Sequence, residues 1–153
     1  MIFAAVLAAC TSATPPAAEV LTPRQVASLA QSTRGQVHAI SLWAMWCAPC
    51  LQELEVLATF EPDELQTLLV NVDTAAEFER RVSDWLTEQE WNNARHYRVS
   101  ARDPIGELSR EWPSWGGTLP YTVFVHPDGR VCETHSEALP RAEVAEAIER
   151  CKQ

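Results

Sequence analysis

"SLWAMWCAPCLQELEVL", residues 41–57, joins two kinds of periodicity at a pair of cysteines. Val37 to Trp43 is a nearly continuous apolar run and reads as a buried strand. Directly after it, Leu51, Leu54 and Leu57 with Ala58 recur at helical spacing. Cys47 and Cys50 therefore fall where a strand hands over to a helix. In the first helical turn the unpaired backbone N–H groups and the positive dipole end stabilise an anion. A thiol with a free pKa of about 8.5 ionises more readily there and becomes a nucleophile. Cys47 would attack a substrate disulfide, and Cys50, one turn further in, would displace the reduced substrate from the mixed disulfide. Pro49 suits the first turn, where no intrahelical donor is needed.

Outward from this junction the chain alternates strands and helices. "TPRQVASLAQSTRG" reads as a helix with Thr22 as cap, Pro23 in its first turn and Gly35 as its stop. "LLVNV" (Leu68 to Val72) reads as a second buried strand, and Phe78, Val82, Trp85 and Leu86 form a helical stripe. "RHYRV" is a weaker strand and "IGELSREW" a short helix. "YTVFV", the turn "HPDG" and "RVCET" form a hairpin, and Arg141 to Lys152 is a closing helix with Val144, Ile148 and Cys151 on one face. This order predicts an α/β fold whose central sheet is parallel in the middle and antiparallel at the C-terminal hairpin.

The chain has 153 residues, 46% of them hydrophobic, enough for one well-buried domain. With 21 acidic and 12 scattered basic residues, the net charge of -9 argues against a nucleic-acid partner. The first residues, "MIFAAVLAAC", end in Leu7-Ala8-Ala9-Cys10 and resemble the lipobox of bacterial lipoprotein signal peptides, although without the usual positive start. That resemblance implies a signal peptide over 1–9, a lipidated Cys10 with a flexible tether over 10–23, and a folded domain over 24–153.

"SLWAMWCAPC", then "NVD" at Asn71 to Asp73, then "LPYTVFVHPDGRV", in that order, resemble the membrane-attached, extracytoplasmic thioredoxin-like proteins related to TlpA and ResA. The resemblance covers roughly residues 36–152. It implies a thioredoxin fold and thiol-disulfide exchange on partner proteins. Acting as a reductase on the periplasmic side, such a protein would draw electrons from an upstream membrane thiol reductase. Apocytochrome c is one substrate of such relatives. No metal and no cofactor beyond a Cys47–Cys50 disulfide is expected. Trp46, Cys47, Pro49 and Cys50 fall on the family's active-site motif. Pro120 matches its cis-proline, and Leu119 precedes it where relatives often carry threonine or a β-branched residue. Glu53 matches the glutamate of "CxxCxxE". One turn beyond Cys50, it could accept a proton through water, or it could be an ordinary solvated helix glutamate. Ser41 stands where cytoplasmic thioredoxins carry a buried aspartate.

Other residues admit competing readings. "CETH" (Cys132 to His135) could join "CAPC" as a zinc site, but the strand does not turn both side chains to one point. Covalent haem attachment needs histidine after Cys50, where Leu51 stands. Cys132 and Cys151 could bridge the hairpin to the last helix, or remain two buried thiols. With Cys10 lipidated the four remaining cysteines are even in number, and two disulfides are expected. Trp112 and Trp115 read as packing aromatics. The functional alternative places Trp115 with Trp46 and Leu119 in a substrate groove beside Pro120. A different class of function is also open: a thioredoxin-fold binding or chaperone module whose Cys47–Cys50 bridge is structural.

Overall fold

The computed structural model describes residues 18–153, so the segments assigned to a signal peptide, Cys10 and most of the tether lie outside the described residues. A six-stranded sheet runs in the order β1-β4-β3-β2-β5-β6. Strands β1 (Glu19–Leu21), β4 (Ala94–Val99), β3 (Gln66–Asn71) and β2 (His38–Trp43) are parallel, and β5 (Tyr121–Val125) and β6 (Val131–His135) add antiparallel. This is a thioredoxin-like α/β fold. The central strands β2, β3 and β5 are buried along nearly their whole length, as strands covered on both faces of a sheet are. Helix α2 (Ala48–Leu57) packs with α6 (Arg141–Cys151), and α1 (Pro23–Ala27) with α5 (Pro104–Glu111). Among the described residues no helix is long and apolar enough to cross a membrane.

Three departures from the sequence reading have local causes. Glu19–Leu21, expected to be tether, form the edge strand β1. Leu21 is buried, and its carbonyl accepts the Ser100 N–H at 2.7 Å. The helix expected from Thr22 to Gly35 stops at Ala27 and resumes as a 3-10 turn over Leu29–Ser32. There the hydroxyls of Ser28, Ser32 and Thr33 donate to carbonyls three residues back, competing with helical hydrogen bonding. Its start is as read, a capping box of Thr22 and Gln25 with Pro23 in the first turn. The stripe of Phe78 and Val82 widens into a π-helical turn over Phe78–Val82, between α3 (Ala75–Glu77) and α4 (Ser83–Thr87).

The hairpin turn needs Gly129. Its φ is +90°, and a Cβ there would run into the Arg34 guanidinium and the carbonyls of Ala30 and Thr33. Between this turn and the middle of the hairpin the register shifts by a residue at Phe124 and Val125, and beyond the shift Thr122 pairs with His135.

Candidate active site

Cys47 is the N-cap of α2. Its Sγ accepts the Cys50 N–H at 3.3 Å, and its own N–H closes a turn onto the Ala44 carbonyl at 3.0 Å. Pro49 lies in the first turn. The two sulfurs form a disulfide with the Cα atoms 5.2 Å apart. Cys47 is buried but retains 6% exposure while Cys50 retains none, so Cys47 is the outer residue of the pair. Trp46, immediately before it, is 57% exposed.

The loop that delivers Cys47 is held from β3. Asp73 Oδ2 accepts the Met45 N–H at 2.7 Å and the Asn71 side-chain amide at 2.8 Å. Asn71 Oδ1 in turn accepts the Asp73 N–H at 3.0 Å, and the Val72 N–H donates to the Trp43 carbonyl at 2.9 Å. Both Asn71 and Asp73 are buried. "NVD" thus braces the 44–46 turn, a role the sequence reading had not assigned to it. Its signal was present: two polar residues closing an apolar strand next to the cysteine loop.

Glu53 is not a solvated glutamate. It is 1% exposed, with Oε2 accepting from Thr122 Oγ1 at 2.8 Å and Ser41 Oγ at 3.3 Å, and Oε1 from the Leu139 N–H at 3.4 Å. Burial pushes its carboxyl above the ordinary range, while the Thr122, Leu139 and Ser41 hydrogen bonds and the nearby His135 oppose the rise. Ser41 is therefore a strand partner of a buried acid carried by the helix facing it.

The Leu119–Pro120 peptide bond is cis. Since Tyr121 pairs with Leu42, Pro120 lies at the end of β2 from which the cysteine loop departs. Pro120 is buried and Leu119 half-buried. Trp115 departs from the groove reading. It is 1% exposed, its Nε1 donates to the Thr118 carbonyl at 2.7 Å, and it lies against Tyr121. So enclosed, it cannot touch a protein substrate and instead braces the segment leading to Pro120. Trp43 is likewise enclosed, tilted against Trp85 at 5.5 Å.

Cys132 and Cys151 are also joined, with Cα atoms 5.7 Å apart. Their sulfurs lie within 4.8 Å of a Glu133 oxygen, but sulfurs bound to each other are not thiolate ligands for a metal. His135 pairs with Glu133 at 2.9 Å rather than turning toward Cys47 and Cys50.

Solved structures with a similar fold have little sequence in common with the chain. The exposed lipoprotein thioredoxin Etrx1 of Streptococcus pneumoniae superposes with a TM-score of 0.57 at 17% identity, over 78% of this chain and 88% of that one. StoA of Bacillus subtilis gives 0.56 at 21% identity, over 76% and 84%. A secreted thiol-disulfide isomerase of Corynebacterium glutamicum gives 0.59 at 17% identity, over 78% and 73%. These likenesses carry the fold. No curated protein matches the sequence. The Redoxin family model matches residues 9–148, nearly the whole sequence. With a Cys-x-x-Cys disulfide at the mouth of α2 in a thioredoxin-like sheet, the chain belongs to the Redoxin family and is a thioredoxin-like thiol-disulfide oxidoreductase.

Proposed function

We propose that the chain exchanges thiols and disulfides with protein substrates outside the cytoplasm, working as a reductase. Cys47 is the nucleophile and Cys50 the resolving thiol. Glu53 accepts the Cys50 proton through water, and Pro120 with Leu119 shapes the edge where substrate lies, beside the exposed Trp46. The observation that carries this reading is the asymmetry of the pair: an outer cysteine at the positive end of a helix and a fully enclosed one behind it. The redox-active group is the disulfide itself, with no further cofactor or metal.

Two of the structural neighbours are described as an exposed lipoprotein and a secreted isomerase, which favours an extracytoplasmic setting. Lipidation at Cys10 would attach the domain to a membrane surface by acyl chains. Apocytochrome c cysteines are the proposed substrate, with a membrane thiol reductase as electron donor. Nucleic acid is not a proposed partner of so acidic a chain.

The test is trapping. A Cys50→Ser protein leaves Cys47 unable to be displaced, so mixed disulfides with natural partners accumulate and are identified by mass spectrometry under non-reducing conditions. Cys47→Ser forms none and loses exchange activity. Absence of adducts from Cys50→Ser, together with undiminished activity of Cys47→Ser, overturns the assignment.

A further inference from the structure

The donors around Glu53 are distributed unevenly. Both hydroxyls, Thr122 Oγ1 at 2.8 Å and Ser41 Oγ at 3.3 Å, converge on Oε2, and Oε1 receives the Leu139 N–H at 3.4 Å. A carboxylate offers about four acceptor positions, so Oε2 is filled and Oε1 keeps one open. Ser41 and Thr122 are direct cross-strand partners on β2 and β5, which places both hydroxyls on one face of the sheet under α2. Each is flanked by apolar residues, Ile40 and Leu42 in β2 or Tyr121 and Val123 in β5, and is fully buried. A hydroxyl in such a place is costly unless it is hydrogen-bonded, and here both are spent on the same acid.

This inference rests on the reading of Glu53 as proton acceptor. We propose that Thr122, with Ser41 beside it, is a positioning residue for that transfer: by filling Oε2 it fixes the carboxylate and leaves Oε1 to receive the Cys50 proton. In the second half of exchange the Cys50 S–H proton passes through water to Oε1. The Cys50 sulfur attacks Cys47 Sγ, the Cys47–Cys50 bond forms, and the bond from Cys47 to the substrate sulfur breaks. The cysteine pair is oxidised, the substrate is reduced and leaves as a thiolate, and the Glu53 proton passes to it. Neither hydroxyl has to turn during this cycle.

The balance at Glu53 agrees with the geometry. Burial raises its pKa, and Thr122 supplies the largest opposing pull, ahead of Leu139 and Ser41. The charged group facing it is His135 on β6, whose charge favours the carboxylate; Cys47, the N-cap of α2, and Cys50 within it are joined as a disulfide and titrate only once reduced.

The experiment uses the full chain with Cys47 preloaded by a chromogenic thiol, and follows release of that thiol by stopped flow across a pH series. Thr122→Val removes the hydroxyl at nearly constant shape, so the ionised base is present only at higher pH. The midpoint of the rate profile rises by about one unit. Thr122→Ser restores it, Ser41→Ala moves it the same way by less, and Thr122→Val added to Glu53→Gln changes nothing more. A wild-type profile in Thr122→Val, where Glu53→Gln does alter the profile, overturns the positioning role alone. A wild-type profile in Glu53→Gln overturns the proton-acceptor reading on which it rests. Should Thr122→Val fail to fold, an unmoved midpoint in Ser41→Ala overturns the proposal.

Discussion

Replacing Asp73 by alanine withdraws one oxygen from two donors. The Asn71 amide, held at 2.8 Å in a buried site, is left without its acceptor, at a cost of about 1–3 kcal/mol. The Met45 N–H, held at 2.7 Å in a half-buried turn, adds a smaller penalty, and we expect a total near 3 kcal/mol. Both bonds end on Oδ2, so an asparagine whose amide oxygen takes that place keeps them and loses only the charge assistance. Asp73→Asn should cost about 1 kcal/mol. Because the turn so held delivers Trp46 and Cys47, the alanine variant should also exchange disulfides roughly tenfold more slowly. Urea unfolding monitored by tryptophan fluorescence gives the stabilities, and reduction of a model disulfide gives the rates. An alanine variant within 0.5 kcal/mol of wild type, or an asparagine variant as costly as alanine, would refute the bracing role.

Replacing both Cys132 and Cys151 by alanine releases a loop whose ends are 19 positions apart, which should cost about 3 kcal/mol in urea unfolding; a loss below 1 kcal/mol would contradict the staple. Glu53, raised above its ordinary 4.5, holds a proton in the folded state that the unfolded chain has released. Wild-type stability should therefore fall, relative to Glu53→Gln, as pH rises from about 4.5 through the elevated value, and level off above it; parallel curves would rule this out. Glu133 behaves oppositely. Its hydrogen bond to Arg150 holds it down at about 2, so its contribution is present above 4.5 and lost as pH falls toward 2. The effect should be small, because Arg150 is half-exposed, and it should vanish in Glu133→Gln during acid unfolding.

The strand-to-helix junction at the cysteines was legible because two strong periodicities meet there, and so was the hairpin with its Pro-Asp-Gly turn. β1 was not, since three residues carry no period, and their pairing depends on the free edge of β4. The π-helical turn at Phe78–Val82 was hidden because its buried residues still sit at spacings an α-helix would use. At the site, Glu53 could be named but not buried. Whether a helix glutamate faces water or the sheet is decided by Ser41, Thr122 and Leu139, which come from distant stretches of chain. Trp115 keeps the packing reading over the groove alternative: a large aromatic near a substrate edge suggests contact, but its indole N–H is spent inward on Thr118.

The two bridges join sulfurs 3 and 19 positions apart, so each cysteine is bonded to its nearest neighbour among the four. Crossed pairings would have to close loops of about 80 residues or more, and loop closure makes such encounters roughly tenfold rarer than the longer native one. Among these four cysteines the native partners are therefore the ones that meet first by proximity along an unfolded chain.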